Sequence, residues 1–453
     1  MILSNISLLG AIAAGCLLYY VGTIIYNVFF HPLAKFPGPW WAGASSYAEA
    51  YFDIVKGGRY FKKVEAMHAR YDARREIDTS LARLSGAPTS VISTVEHDHH
   101  KVRRMPLLPF FSKQSIAKLE PFIWSRVNLL VAKLRQALHT GETVELIDGY
   151  GAITTDVISR YAYGESFDYL GKDSDMSFKN DYLHAINVIL GLPQWALQFM
   201  HPGFTAANDL RRWCTENALK ALQATQSGIE TPSTKPKTIF ETLLGPDMPP
   251  EEKTLERMTD ESFLIVGAGL ETTSRFLTNT TTHLLLNPDC LSKLRAELKV
   301  AMPTPDYCPP CSVLENLPYL SAVVAEGLRC ETILVNRFSR KILEPLPYKG
   351  FVIPAGVFPE PEKFRPERWI EAREQGINLN KYLATFVKGG RMCLGINLAY
   401  TELYLTLAAI FRNFDMELVD SGLENITSTR GFTFGFTDSY DWGVKIRLIK
   451  ALE

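Results

Sequence analysis

The ten residues from Phe386 to Gly395 constrain this chain more than any other segment. They place Cys393 after a glycine-rich turn and directly before a helix-like pattern of apolar residues. Gly389 and Gly390 permit a tight turn that a Cβ atom would obstruct, and Gly395 keeps side-chain bulk away from a flat ligand. The peptide dipoles and free N–H groups at a helix N-terminus favour an anionic sulfur, which predicts a lowered pKa for the Cys393 thiol.

The residues that follow Cys393 predict this helix. Apolar side chains recur at helical spacing from Leu394 to about Phe414, which is typical of a helix packed into a core. The recurring positions are Leu398, Ala399, Leu403, Leu405, Ala408, Ala409 and Phe411. Taken alone, a Gly-x-Arg-x-Cys segment is equally typical of a buried structural cysteine in front of such a helix.

The complete spacing, Phe-x-x-Gly-x-Arg-x-Cys-x-Gly, resembles the haem-ligand loop of the cytochrome P450 superfamily, the haem-thiolate monooxygenases. It runs without a gap from Phe386 through Gly389, Arg391 and Cys393 to Gly395. The resemblance implies that Cys393 is the axial ligand of haem b iron and that Phe386, Gly389 and Gly395 shape the loop. A cysteine thiolate in this position pushes electron density toward iron and favours O–O cleavage. The Arg391 cation suits pairing with a haem propionate.

Composition argues against several other classes of protein. The 453 residues are 46% hydrophobic, which is enough for one large domain with a substantial core. The net charge of −1 gives no indication of nucleic-acid binding. The seven cysteines are odd in number and scattered along the chain, so they predict a reducing compartment rather than a disulfide framework.

The N-terminal residues predict a membrane anchor. Residues 1–30 contain no charged side chain, and the run from Ile6 to Phe30 exceeds the ~20 residues that a membrane helix needs. Basic residues begin at Lys35, so the positive-inside rule predicts a single-pass protein with residues 41–453, the catalytic domain, in the cytoplasm. Residues 31–40 form a proline-rich hinge. This hinge resembles that of microsomal members of the family, which implies the endoplasmic reticulum membrane.

Beyond the hinge the pattern is mostly helical, which predicts a mainly α fold with small β-sheets (α+β). The resemblance to the cytochrome P450 superfamily implies the same fold. Strand-like segments are short and late, at 335–342 and 348–353, and the alternation of Phe432, Phe434 and Phe436 predicts a strand or hairpin. The predicted long helices lie near residues 114–140, 181–200, 205–227, 259–287, 290–302 and 314–330.

The 259–287 helix contains a chemically suggestive segment. Its start is predicted at Thr259 with Asp260 and Glu261, and its stop at Asn287-Pro288. In its middle lies Ala-Gly-Leu-Glu-Thr-Thr, residues 268–273, where small residues would admit a flat cofactor and invite a kink that frees a carbonyl.

The segment 268–273 has two interpretations. Its glycines could simply ease helix packing, with Glu271 an exposed charge. Ala-Gly-x-Glu-Thr, however, resembles the oxygen-activating helix of the same family. That resemblance implies that Thr272 hydrogen-bonds the oxygen being activated and that Glu271 relays protons from solvent.

Two further segments predict supporting roles. Glu326 and Arg329 lie three residues apart on one helix face, and an exposed pair of this kind contributes roughly 0–1 kcal/mol. The downstream segment Phe364–Trp369, however, resembles the family's loop whose arginine joins such a pair in a buried triad. The resemblance implies that Glu326, Arg329 and Arg368 hold the proximal haem face.

The polar cluster at residues 96–104 offers two interpretations. His97, His99 and His100 could bind a metal, whereas His100 and Arg104 lie at i,i+4 on one helix face. The resemblance implies that His100 and Arg104 reach a haem propionate, while Lys101 and Arg103 face outward toward an acidic redox partner. Arg340 is a further candidate propionate ligand, with Arg337 in reserve.

The chain is most similar to fungal secondary-metabolism enzymes of the trichodiene oxygenase type. The resemblance implies a monooxygenase that inserts one oxygen atom from O2 into an apolar substrate. Its electrons would come from NADPH through a reductase, with cytochrome b5 as a second partner. The predicted pocket walls are aliphatic and aromatic, which suits a terpenoid or polyketide. These walls are Leu334, Val335, Phe432, Phe434, Val266 and Ala268.

Two segments expected in the family are missing, one between Tyr71 and Val95 and one between Gly356 and Phe358. Both belong to the same β-sheet, so we expect that sheet to be truncated, with exposed edges. The missing segments leave open the hypothesis of a truncated paralogue without catalysis. A haem-thiolate isomerase or dehydratase that uses peroxide is a separate alternative.

Overall fold

The computed structural model describes most of the chain from Ala87 onward and two short N-terminal pieces. The described residues are 14–15, 18–30, 87–171, 203–227, 238–330, 358–387, 391–428, 430–431, 435–436 and 443–453. The chain divides into two compact units. The smaller unit is made of Met1–Ile77, Leu334–Glu344 and Ser428–Ser439, and the larger of Asp78–Ile333, Pro345–Thr427 and Tyr440–Glu453.

Some predicted features lie outside the described residues, so the structure does not test them. They are the hinge at 31–40, the helix at 181–200, the strands at 335–342 and 348–353, the missing segments of the sheet, and residues Leu334, Val335, Arg337, Arg340, Gly389, Phe432 and Phe434.

Helices make up most of the described structure, as predicted. The predicted helices near 114–140, 205–227, 290–302 and 314–330 are present with ends within a few residues of those expected, the last of them divided in two. The α-helices among the described residues of the larger unit are His97–Arg104, Lys113–Thr140, Leu146–Tyr163, Gly203–Gln226, Ile239–Leu243, Leu255–Leu286, Pro288–Ala301, Cys311–Leu314, Pro318–Cys330, Glu367–Glu374 and Ile396–Asn413.

The β-structure is small and antiparallel. In the larger unit, the Lys445–Ala451 strand lies between Val144–Glu145 and Phe414–Val419, with Ile446 opposite both Val144 and Leu418. In the smaller unit, Arg430–Gly431 pairs with Gly435–Phe436. The structure therefore confirms a hairpin for the two strand pieces that it describes.

The Leu255–Leu286 helix, called the central helix below, is the main scaffold of the larger unit. It packs against the Leu146–Tyr163, Gly203–Gln226, Pro318–Cys330 and Ile396–Asn413 helices. Where it meets the first of these, a Cβ atom on Gly269 would lie 3.0 Å from Cγ1 of Ile158. The interpretation that glycine here eases helix packing is therefore right for Gly269.

The predicted start of the central helix was wrong by one turn. The helix begins at Leu255, where the Thr254 hydroxyl accepts the N–H of Arg257 at 3.2 Å. Asp260 and Glu261 lie inside the helix and are buried, because they bind partners from distant segments rather than capping the helix end. The predicted stop at Asn287-Pro288 is confirmed, and Pro288 opens the next helix.

The N-terminal pieces are helical at residues 18–25 and continue into a π-helical turn at Tyr26–Phe30. Within the described part of the chain, no helix combines the length and the apolar character needed to cross a membrane.

Candidate active site

The segment from Phe386 to Gly395, called the Cys393 loop below, is closed by a backbone hydrogen bond. The N–H of Cys393 donates to the carbonyl of Phe386 at 2.9 Å, and Val387 takes the left-handed conformation with φ 58°. The Phe386 ring packs on Tyr400, with ring centroids 5.2 Å apart. Gly395 forms the N-cap of the Ile396–Asn413 helix, so the cysteine lies just ahead of a helix, as predicted.

The predicted lowering of the Cys393 pKa is wrong for the protein chain. Cys393 is exposed when its accessible surface is taken as a whole. The protein packed around its sulfur nevertheless displaces water from the thiol and raises the pKa of that thiol above the usual value. The Gly395 N–H and the Arg104 cation act in the opposite direction and do not outweigh it. A coordinated metal ion deprotonates a thiol outright, so helix position alone is not needed for a thiolate.

Open space adjoins the backbone next to this thiol. A Cβ atom built on Gly395 would meet no described atom within 4 Å, although its φ of −84° suits any residue. Glycine is therefore not required by backbone conformation at this position. Its absence of bulk leaves space beside the thiol, and cofactor binding at this position stays a prediction.

One face of the central helix is open, although nearly all of the helix is buried. Leu264, Ala268 and Thr272 follow one another at i, i+4 and i+8, with Ala268 exposed and the other two half-buried. The Thr272 hydroxyl donates to the Ala268 carbonyl at 2.9 Å. The helix is unbroken through this region. Val266, a predicted pocket wall, is instead fully buried in the core.

Glu271 does not lie on this open face. It is 2% exposed, and its Oε1 lies 3.5 Å from Nε of Arg275, which is equally buried. The interpretation of Glu271 as an exposed charge is therefore wrong. Its role in proton relay stays a prediction.

Two of the predicted propionate ligands hold the Cys393 loop against the segment before residue 105. Nη2 of Arg104 donates to the Met392 carbonyl at 2.7 Å, and Nη2 of Arg391 donates to the Val95 carbonyl at 3.1 Å. His100 is buried on the same helix as Arg104. Burial lowers the pKa of Arg104, while the nearby Cys393 raises it. The structure therefore brings Arg104 to the loop that carries Arg391 and Cys393, and propionate binding by His100 stays a prediction.

Of the two neighbouring side chains predicted to face outward, Lys101 does so and Arg103 does not. Lys101 is exposed, but Nε of Arg103 donates to Glu252 at 2.8 Å and Nη1 donates to the Thr94 hydroxyl at 2.8 Å. His99 also pairs with Glu252. The described residues contain no group of three His, Cys, Asp or Glu that could hold a metal ion. Nothing in the sequence near residue 100 indicates Glu252, so sequence reasoning missed it.

The predicted triad is present and buried. Both oxygens of Glu326, which is fully buried, accept hydrogen bonds from Arg329, at 2.8 and 2.9 Å. Nε of Arg368 donates to Oε1 at 3.0 Å, and two further donors complete the set, Nε1 of Trp369 and the N–H of Arg365, each at 2.8 Å. Burial would raise the pKa of Glu326, but Arg329 and the other donors hold it below its usual value.

A cavity of about 1010 Å³ lies beside the Cys393 loop. Its lining includes Phe386, Met392 and Tyr400 but not Cys393, Ala268 or Thr272. It is therefore separate from the open face of the central helix, and no sequence motif indicated it.

A solvent-accessible thiol before a helix, a small-residue face on a buried helix and a buried Glu-Arg-Arg triad are the features expected of a haem-thiolate enzyme. Comparison with known proteins agrees with this class. The Cytochrome P450 family model matches residues 13–437. The chain belongs to the cytochrome P450 family, and it is an oxygen-incorporating monooxygenase.

Several relatives are similar over nearly their whole length. The cytochrome P450 monooxygenase TRI4 of Fusarium sporotrichioides is 33% identical over 505 aligned positions, covering 98% of this chain and 96% of the relative. The cytochrome P450 monooxygenase pbrB of Penicillium brasilianum is 36% identical, covering 94% of each chain. The conidiogenone synthase PchP450 of Penicillium rubens is 34% identical, covering 95% of this chain and 97% of the relative.

The alignment lengths carry a second finding. The 505 positions aligned with TRI4 exceed the 453 residues of this chain, so that relative has residues without a counterpart here. The lengths do not locate them, and the positions predicted after Tyr71 and after Gly356 stay predictions.

Proposed function

We propose that this monooxygenase binds haem b through Cys393 and oxygenates an apolar terpenoid or polyketide in fungal secondary metabolism. The observation that carries the proposal is the accessible Cys393 thiol, with free space beside Gly395 and the Arg104 cation close by. A thiol donor, room for a flat group and cations for its carboxylates form the donor set that haem b requires.

The protein residues have distinct roles in this proposal. Cys393 supplies the axial thiolate, and His100, Arg104 and Arg391 bind the propionates, with Arg340 as a further ligand. Haem iron supplies the redox chemistry that activates O2. Gly395 leaves the space that a side chain would occupy. The Glu326, Arg329 and Arg368 triad supports the proximal side without taking part in the reaction.

We assign the delivery of protons to the reacting oxygen to the open face of the central helix. The Thr272 hydroxyl donates to the Ala268 carbonyl, and a hydroxyl can exchange such a bond for one toward the reaction side while accepting a hydrogen bond from water. Glu271 relays the proton: its carboxylate turns from Arg275, takes up a proton from solvent and passes it to that water. Ala268, at the exposed centre of the face, leaves room for substrate.

The electron donor and the membrane complete the proposal. Electrons come from NADPH through a reductase, with cytochrome b5 as an additional partner. Residues 1–30 anchor the chain in the endoplasmic reticulum membrane with residues 41–453 in the cytoplasm. The uncharged N-terminal run and the basic residues after it support this arrangement.

The reduced carbon monoxide difference spectrum of the full chain tests the haem assignment. We expect the long-wavelength band of thiolate-ligated haem, its loss in Cys393→Ser, and its retention in Cys308→Ser, a matched change at a cysteine remote in sequence. Absence of the band from the wild-type chain would overturn the assignment.

Turnover then separates the proposal from a second candidate, a haem-binding paralogue without catalysis. The second candidate is favoured by the residues that relatives have and this chain lacks. Product formation from an apolar terpenoid with reductase and NADPH supports the monooxygenase, whereas a normal spectrum without turnover on a panel of such substrates supports the paralogue. Turnover with peroxide alone would indicate the isomerase or dehydratase class.

A further inference from the structure

The His97–Arg104 helix carries two side-chain pairs that point in different directions. His99 and Arg103 are four residues apart and both bind Glu252. His100 and Arg104 are also four residues apart, and Arg104 binds the Met392 carbonyl beside Cys393. Successive residues of an α-helix are about 100° apart around its axis. Contacts that hold His99 and Arg103 therefore also constrain the direction in which His100 and Arg104 point.

Apolar packing cannot fix this direction. Val102 is 43% exposed and Met105, the C-cap, is 53% exposed. Short helices are marginal in water, and most helices gain their stability from an apolar face packed on a core. This eight-residue helix has no such face, so its orientation depends on polar contacts.

Glu252 is held independently of the helix that it binds. It ends the 3₁₀ turn Pro250–Glu252, directly before the central helix, and its Oε2 accepts Nε of Arg257 at 3.1 Å. Arg257 pairs in turn with Glu261, which accepts the N–H of Val91 at 2.9 Å. The Glu252 carboxylate is therefore a fixed point on the central scaffold.

The charge of Glu252 is consistent with this role. Burial would raise its pKa, but hydrogen bonds from Arg103 and His99 and the nearby Arg257 hold the pKa below the usual value. The carboxylate is therefore charged at neutral pH and attracts both Arg103 and Arg257.

We propose that Glu252 is a positioning residue that sets the orientation of the His97–Arg104 helix about its own axis. In this orientation His100 and Arg104 face the Cys393 loop and bind the haem propionates. The inference rests on the proposed haem site. Glu252 itself has no contact with the cofactor in this scheme, and it acts through His99 and Arg103.

The test measures haem loss from the full-length holoprotein into an excess of haem-free globin. We expect Glu252→Gln to raise the loss rate by about 10- to 100-fold, the range typical when a residue that orients a metal-site ligand is removed. Glu417→Gln is the matched control, because Glu417 forms an exposed pair with Arg447 on a strand elsewhere in the unit. The control should leave the rate unchanged.

A spectroscopic measurement separates positioning from general damage. In Glu252→Gln, the carbon monoxide band of the haem that remains bound should keep its thiolate wavelength, because Cys393 is untouched. If Glu252→Gln yields no folded holoprotein, Arg103→Gln decides in the same assay, since it removes the helix's own side of the contact. Unchanged haem loss in the variant that folds would overturn the inference. A wild-type chain without a thiolate band would instead overturn the proposed function.

Discussion

Replacing Glu326 with glutamine tests the energetic role of the buried triad. The change keeps the shape of the side chain but removes the charge that balances Arg329 and Arg368, whose side chains are only 9% and 4% exposed. Removing one member of a buried ion pair costs about 3–5 kcal/mol, because the remaining charge stays buried without a partner. Five donors converge on this carboxylate, and glutamine can accept through one oxygen only.

Urea unfolding of the full chain measures this cost. The chain has seven tryptophans, and one of them, Trp369, donates directly to Glu326, so the intrinsic fluorescence that follows unfolding includes a reporter next to the triad. With an m-value of about 3 kcal/mol/M, a loss of about 3 kcal/mol lowers the midpoint by about 1 M. Glu371→Gln is the matched control, because its partner Arg365 is 41% exposed and exposed pairs contribute about 0–1 kcal/mol. Equal midpoints for the two variants would refute the reasoning.

Three other changes test separate features of the structure. Burial lowers the pKa of His283 to about 4, so the unfolded chain binds a proton at this residue before the folded chain does as the pH falls below about 6.5. The free energy of unfolding should therefore drop by about 3 kcal/mol between pH 6.5 and 4. His283→Phe should remove this part of the dependence of the urea midpoint on pH. Gly327→Ala should cost about 1–3 kcal/mol in urea unfolding, because its Cβ would lie 2.8 Å from Cζ of Phe276 and 2.5 Å from Oγ1 of Thr280. Gly395→Ala should leave the free energy of unfolding of the haem-free chain, measured in urea, within about 1 kcal/mol of wild type. It should accelerate haem loss, because the new methyl group fills the space beside Cys393.

Each of these expectations has a contrary outcome. A His283→Phe profile that still falls between pH 6.5 and 4 would place the titrating group elsewhere. A Gly327→Ala variant more stable than wild type would mean that helix propensity outweighs the clash. Haem loss unchanged in Gly395→Ala would mean that the free space beside Cys393 does not hold the cofactor.

The sequence predicts features that are encoded locally or by a complete motif. The Cys393 loop was correctly placed before a helix because its glycines and the apolar spacing after it lie within one segment. The triad was predicted from resemblance to two family motifs, although Glu326 and Arg368 are 42 residues apart. Residue spacing alone predicted only the pairing of Glu326 with Arg329, because no local pattern links Arg368 to them.

Features that depend on distant partners were not predicted. Arg103 turns inward because Glu252, 149 residues away, offers a carboxylate that no local pattern reveals. The Leu146–Tyr163 helix was missed because it is buried on nearly all sides and so lacks a one-sided apolar stripe. The pKa of Cys393 rises because tertiary structure surrounds it, whereas the sequence shows only the helix that follows.

The contacts of Arg104 and Arg391 have a consequence for the order of events during synthesis. The two partners are 288 residues apart in one contact and 296 in the other, so neither can form until the ribosome has made nearly nine-tenths of the chain. At about 5–20 residues per second, Arg104 emerges tens of seconds before Met392. These two contacts therefore form late in synthesis, and haem capture by the completed site must wait until most of the polypeptide has been made.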